Sequence, residues 1–197
     1  MKIIGITGGV GAGKSLVLDY LEKEHHAYVL YADKIANDLK MPGEACYDPL
    51  IQLLGQEICQ EDGCIEKGKM AEKIFKDKDV LAKVNAIVHP SVKEFVCKQI
   101  EEKKKQGDVS WFVIEAALLI EDHYDEICDE MWYIYADIDT RKQRLTASRG
   151  YTQERIQGIV SGQLSDEAFR KACQFVIDNR GNAEETYRQI DKKLRED

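Results

Sequence analysis

Gly8-Gly9-Val10-Gly11-Ala12-Gly13-Lys14-Ser15 is the stretch that decides how this chain is read. It matches the spacing G-x-x-x-x-G-K-[ST] at every fixed position. Glycines let backbone N–H groups turn inward around phosphate oxygens. Lys14 can reach the β- and γ-phosphates of a nucleoside triphosphate, and the Ser15 hydroxyl can coordinate Mg²⁺. The flanks support this reading. Lys2 to Thr7 (KIIGIT) reads as a short buried strand, and Ser15 to Glu24 as a helix with Leu16, Leu18 and Leu21 inward. A strand, a glycine loop and a helix in that order aim the positive end of the helix at the phosphates. Gly9, Gly11, Ala12, Gly13, Lys14 and Ser15 are therefore the candidate triphosphate-binding residues, with Ser15 the metal contact.

Outward from the loop, strands and helices alternate. Ala27 to Tyr31 reads as a second strand, and Asp33 then opens a helix as its N-cap or first-turn acid. That helix stops at Met41-Pro42-Gly43. Glu44 to about Val88 is helical, with a turn at Glu61-Asp62-Gly63. Ser91 to Lys105 is an amphipathic helix with Glu101 to Lys105 on its solvated face. Val109 to Ile114 and Met131 to Ala136 are continuous apolar runs, as strands of a parallel sheet covered on both faces should be. Phe175 to Ile177 is a fifth, short strand, and Ala183 to Leu194 a closing helix. The pattern predicts an α/β fold, a doubly wound parallel sheet of about five strands with right-handed crossovers. The expected organisation is one domain of P-loop NTPase or kinase type. Its nucleotide-binding core comprises residues 1–36, 106–138 and 174–197. Residues 37–105 form a helical insertion, and residues 139–173 a helical lid.

Composition narrows the class. The 197 residues are 44% hydrophobic and 32% charged, enough apolar material for a core and too much for a disordered or fibrous chain. Lys and Arg number 28 against 36 Asp and Glu, a net charge of −8, which argues against a duplex-binding protein. No nucleic-acid partner is expected. The apolar run from Val109 to Ile120 is interrupted by Ser110 and Glu115 and is too short for a bilayer, so no membrane partner is expected either. MKIIGITGG enters the glycine loop at once, unlike a signal peptide. Six scattered cysteines without metal spacing fit reduced thiols in a cytoplasmic protein. Cys59 and Cys64 lack the partners that a metal site would need.

A guanine-specific N-K-x-D motif is absent, and an ATP-driven motor would be larger. A small kinase remains. It needs a base near the acceptor and a mobile basic lid. Asp33, two residues beyond the second strand, is the candidate base, because strand carboxyl ends form the ligand crevice of such sheets. The alternative is that Asp33 only caps its helix. Thr140 to Gln153 holds Arg141, Lys142, Arg144 and Arg149 and no acid, which suits a lid that neutralises a transferring phosphoryl group. Glu121 to Glu130 holds six acids and reads as a solvated loop. Glu115, ending the third strand, stands where a carboxylate near Mg²⁺ is often kept.

Taken together, these residues resemble the dephospho-coenzyme A kinase family over nearly the whole chain. The likeness runs from Ile4 to Ser15, through Tyr31-Ala32-Asp33-Lys34-Ile35-Ala36, which is similar to the family's D-A-D element, and Pro42-Gly43. It continues through Leu54-Gly55, Asp62-Gly63, Ile74-Phe75 and His89-Pro90. Leu118-Leu119-Ile120-Glu121 resembles the P-L-L-x-E turn, and Gln163 and Val176 to Gly181 complete the set. The resemblance implies transfer of the ATP γ-phosphoryl group, carried with Mg²⁺, to the ribose 3′-hydroxyl of dephospho-coenzyme A. It implies Asp33, Lys14 and Arg144 as catalytic residues. Leu16, Asn179 and Gly181 join the ATP-binding residues, and Asp33, His89, Leu118 and Arg149 become acceptor-binding residues. The chain departs from the family's pattern at Tyr31, Leu16, Ala117, Ser148 and Ile159. Arginine is expected at the last two positions, and Arg149 stands one residue late. The competing readings are a kinase for another small hydroxyl acceptor, such as a nucleoside or a shikimate-like acid, and a non-catalytic nucleotide-sensing module.

Overall fold

The computed structural model describes residues 1–196. Strands β1 (Lys2–Thr7), β2 (Tyr28–Tyr31), β3 (Trp111–Glu115), β4 (Glu130–Tyr135) and β5 (Phe175–Asp178) make one sheet of order β2-β3-β1-β4-β5. β1 runs parallel to both β3 and β4, and β4 parallel to β5. In register, Ile4 lies between Val113 and Glu130, and Tyr133 opposite Val176. Ile3, Ile4 and Ile6 on β1, Phe112 to Ile114 on β3, and Met131 to Ile134 on β4 are all buried. Successive strand residues face opposite sides, so burial of whole runs means that both faces are covered.

Chain contacts divide the protein into two compact units. The first comprises Met1–Leu30 and the chain from Gln106 onward. It holds α1 (Lys14–Glu24), the basic segment with α6 (Ile138–Arg149), α7 (Gln153–Ser161) and α8 (Asp166–Ala172), and α9 (Ala183–Glu196). α1 buries Val17, Leu18 and Leu21, whereas Leu16 is half-buried. Val17, Leu18 and Leu21 share one helix face at i, i+1 and i+4 spacing, and Leu16 lies off it, so the expectation for Leu16 is corrected. The acidic stretch before β4 is also not wholly solvated. The Asp129 carboxylate accepts from the Ile3 N–H at 2.7 Å. Glu130 is buried, 3.0 Å from the Lys2 ammonium and 2.8 Å from that of Lys193.

The second unit, Tyr31–Lys105, is helical. It holds α2 (Ala32–Asp38), α3 (Tyr47–Leu54), α4 (Lys67–Lys76) and most of α5 (Lys78–Gln106). Cys46, Leu50, Leu54, Ile58 and Met70 are buried here. The turn at Glu61-Asp62-Gly63 is closed by a Cys59–Ile65 bridge, and the Tyr47 hydroxyl donates to the Gly63 carbonyl at 2.6 Å. The helix expected to start at Ser91 instead runs through Pro90 as part of the 29-residue α5. Proline removes one helical N–H and usually kinks or ends a helix. Here Val84, Val88, Val92, Val96 and Ile100 form one buried row at every fourth position, and the Ser91 hydroxyl donates to the Ile87 carbonyl at 2.9 Å. A continuous apolar stripe across the proline outweighs the missing bond.

Candidate active site

The loop between β1 and α1 has the backbone that its glycines permit. Gly11 and Gly13 lie at φ 83° and 91°, where a side chain is strained. Gly13 precedes the first turn of α1, which carries no acid and no side-chain cap. The positive end of the helix is therefore left to an external anion. Among the described residues, the Gly11 and Gly13 N–H groups have no protein acceptor. Lys14 folds back so that its Nζ donates to the Gly8 carbonyl at 2.9 Å and lies 3.5 Å from Glu115 Oε1. Ile6 of β1 sits opposite Glu115 in the sheet register, which is what brings that carboxylate to the lysine. Ser15 is exposed in the first turn of α1, with half-buried Leu16 beside it.

The loop is held from behind by its carbonyls. Asn179 follows β5 and is 1% exposed. Its Nδ2 donates to the Ala12 carbonyl at 2.7 Å, and its Oδ1 accepts from the Thr186 hydroxyl at 2.8 Å. Asn179 therefore shapes the loop from beneath. Arg144 donates to the same Ala12 carbonyl at 3.3 Å and to the Asn179 carbonyl at 2.8 Å. Arg141, one helical turn earlier, donates to the Val10 carbonyl at 2.9 Å and to Gln163 at 2.5 Å. A β-carbon at Gly9 would overlap the Arg141 guanidinium, and one at Gly13 the Asn179 amide, so both glycines answer to close neighbours as well as to phosphate.

By sequence Arg141 belongs to the basic lid segment, and its contacts with the loop are not legible there. The available signal was its i, i+3 spacing from Arg144, which puts both on one helix face.

The structure brings Gly9, Gly11, Ala12, Gly13, Lys14, Ser15, Arg144 and Asn179 together around the loop. Gly181 lines an open depression of about 490 Å³ with Asp137, Asp178, Arg180, Glu185 and Gln189. There the Arg180 guanidinium, hydrogen-bonded to Asp178, holds that carboxyl below the usual range. Arg149 does not join the loop. It is exposed at the end of α6 with its guanidinium 5.9 Å over the Tyr151 ring. The Ser148 hydroxyl donates to the Arg144 carbonyl at 2.6 Å. Leu118, in the turn after β3, is 41% exposed.

In the helical unit, Asp33 is an exposed first-turn acid of α2. Tyr31 is the N-cap residue and no side chain caps this helix, so the capping alternative for Asp33 fails. Lys40, two residues beyond α2, is held below the usual lysine range by burial and by Lys67. His89 is half-buried within α5.

Among the described residues, no group of three or more His, Cys, Asp or Glu could hold a metal ion. An exposed Ser15 hydroxyl at the first turn of α1 fits a Mg²⁺ that arrives on nucleotide phosphates and takes few protein ligands.

The family model for dephospho-CoA kinase matches residues 2–185. A dephospho-CoA kinase of Carboxydothermus hydrogenoformans is 34% identical over 190 residues, covering 96% of this chain and 91% of that one. The one from Aquifex aeolicus is 34% identical over 197 residues, covering 100% and 97%. A solved Thermus thermophilus structure matches with a TM-score of 0.83 at 26% identity, over 99% of this chain and 97% of that one. An Acinetobacter baumannii shikimate kinase shares the fold alone, with a TM-score of 0.54 at 14% identity over 98% and 92%. With a model match along nearly its full length, and relatives above 30% identity over nearly theirs, this chain belongs to the dephospho-CoA kinase family.

Proposed function

We propose that the protein transfers the γ-phosphoryl group of ATP to the ribose 3′-hydroxyl of dephospho-coenzyme A, giving coenzyme A and ADP, the last step of coenzyme A synthesis. The observation that carries this reading is the phosphate loop, with open Gly11 and Gly13 N–H groups and Lys14 alongside, in a chain of this family. Phosphoryl transfer needs positioning and charge stabilisation more than covalent help. The loop N–H groups and the start of α1 take phosphate oxygens. Lys14 exchanges the Gly8 carbonyl and Glu115 for the β- and γ-phosphates. The Ser15 hydroxyl would contact a Mg²⁺ carried on ATP, and that ion would supply neutralising charge.

Asp33 accepts the proton of the attacking hydroxyl as the O3′–Pγ bond forms and the bond to the ADP leaving oxygen breaks. Its exposure and its freedom from capping leave the carboxylate available for that task. Arg144 stabilises the charge of the transferring group. Residues 37–105 receive the acceptor, with His89, Leu118 and Arg149 as contacts, and residues 139–173 act as the lid. Leu16 and Gly181 border the nucleotide. The six cysteines are all free thiols, which supports a cytoplasmic setting.

A coupled ADP assay with dephospho-coenzyme A, shikimate, deoxyadenosine and no acceptor tests the reading. ADP release should require dephospho-coenzyme A. Equal rates without an acceptor, or preference for another hydroxyl, would overturn it. A sensing module would bind ATP and show no acceptor-dependent turnover.

A further inference from the structure

The guanidinium of Arg141 has a place that the reaction scheme leaves unexplained. It is half-buried at the start of α6, and burial lowers its pKa from the ordinary value. Such a group needs acceptors to offset lost hydration. It finds two. Its Nε donates to the Val10 carbonyl at 2.9 Å and its terminal nitrogen to Gln163 Oε1 at 2.5 Å. Gln163 Oε1 also accepts from the Val10 N–H at 3.3 Å. Val10 is thus gripped at both its N–H and its carbonyl by one guanidinium–amide pair.

A trans peptide is planar, so the carbonyl of one residue and the N–H of the next point in opposite directions. Drawing the Val10 carbonyl toward Arg141 turns the Gly11 N–H away from it. Among the described residues, that N–H has no protein acceptor. The same geometry repeats two residues on. Asn179 and Arg144 hold the Ala12 carbonyl, which turns the Gly13 N–H outward. The side chain of Leu145 packs against Gly11, so little space is left between the loop and α6 at that point.

We propose that Arg141, held by Gln163, is a positioning residue for phosphoryl transfer, which fixes the Val10–Gly11 peptide so that the Gly11 N–H is aimed at phosphate before the nucleotide arrives. The proposal rests on the kinase reading above and adds to it a device for preorganising the loop. Arginine is required because its fork satisfies two acceptors at once, which a lysine ammonium cannot do in a plane. Preorganised donors of this kind matter chiefly in the transition state.

The test uses Arg141→Lys and Gln163→Leu in the full chain. Arg141→Lys keeps the positive charge but breaks the fork. Gln163→Leu leaves the charge untouched and frees the guanidinium. Each is read by acceptor-dependent kcat and KM, by calorimetric binding of β,γ-imido-ATP with magnesium chloride, and by melting temperature. Both variants should lower kcat by about 10²-fold, the usual consequence of a misplaced donor. Both should weaken imido-ATP binding about 10-fold, on the same ground. The KM for dephospho-coenzyme A should stay within about 2-fold, because no acceptor contact is removed. The double variant should be no worse than the more severe single one, since both act through one peptide.

Wild-type kcat and imido-ATP affinity in both variants would overturn the proposal. So would full activity in Arg141→Lys with loss only on removing the charge, which would make Arg141 a direct phosphate contact. Reduced melting temperature with unchanged activity per folded molecule would leave only a structural role and overturn it as well. Imido-ATP binding needs no acceptor. If the wild-type chain failed to phosphorylate dephospho-coenzyme A, the binding measurements would still decide the role of Arg141.

Discussion

Replacing Gly13 by alanine separates the two demands that this position meets. At φ 91° an alanine incurs left-handed strain of about 1–2 kcal/mol. Its methyl group would also fall on the Asn179 amide. Asn179 is 1% exposed, so displacing it breaks a buried bond to Ala12 and leaves polar groups unpaired, about 1–3 kcal/mol more. The expected total is about 2–5 kcal/mol, and at ~2–4 °C per kcal/mol for a chain of this size the melting temperature should fall about 10 °C. Gly107 supplies the control. It too has positive φ, 70°, but nothing lies within 4 Å of an added β-carbon, so Gly107→Ala should cost only the strain. Thermal unfolding of the two variants should therefore differ by about 1–3 kcal/mol, the share due to Asn179. In an Asn179→Ala background the extra share should vanish, because the clash is gone. If Gly13→Ala matches Gly107→Ala, or its cost is unchanged by Asn179→Ala, the proposed support of the loop by Asn179 is wrong.

Three further outcomes follow from the same geometry. Lys14→Ala should cut turnover about 10²–10³-fold while the fold survives, since among the described residues the ammonium meets the Gly8 carbonyl and Glu115 at the loop itself. Steady-state kinetics with circular dichroism checks this, and near-normal turnover would contradict it. Asp33→Asn should lose about 10²–10⁴ in rate and about 0.3–1 kcal/mol in stability, because Asp33 is a first-turn acid and not a cap. A fully active variant would remove Asp33 as the base. Burial alone would raise the Glu130 pKa, but the ion pairs with Lys193 and Lys2 outweigh it and hold the carboxyl below its ordinary value. Its stabilisation is present above the unfolded pKa and is lost as pH falls through the folded one. Glu130→Gln should therefore be less stable than wild type at pH 7 by about 1–3 kcal/mol, with the gap closing below about pH 4.5. Denaturant titrations at several pH values would show a constant gap if this ion pair were immaterial.

The loop and the sheet class were legible because their signals are local. Gly8 to Ser15 is a contiguous motif, and the apolar runs of β1, β3 and β4 declare strands buried on both faces. The order of the strands was not legible, since nothing local in Ile4 names Val113 and Glu130 as its neighbours. Pro90 misled because its effect depends on the valine row on either side of it, a tertiary cause. Glu130 read as a solvated acid, and only the fold brings Lys2 and Lys193 to it. At the site, Lys14 and Ser15 could be named from spacing alone. That Arg141 and Asn179 work on loop carbonyls could not, because those contacts span 131 and 167 residues of chain.

The reaction is defined by where one phosphate goes. Incubating the purified chain with ATP, magnesium chloride and dephospho-coenzyme A, and following the product by phosphorus NMR, tests it most directly. The expected result is one ADP per acceptor consumed and a new phosphomonoester on the ribose 3′-oxygen, both absent without dephospho-coenzyme A. ADP without that phosphomonoester, or phosphate on a different oxygen, would contradict it.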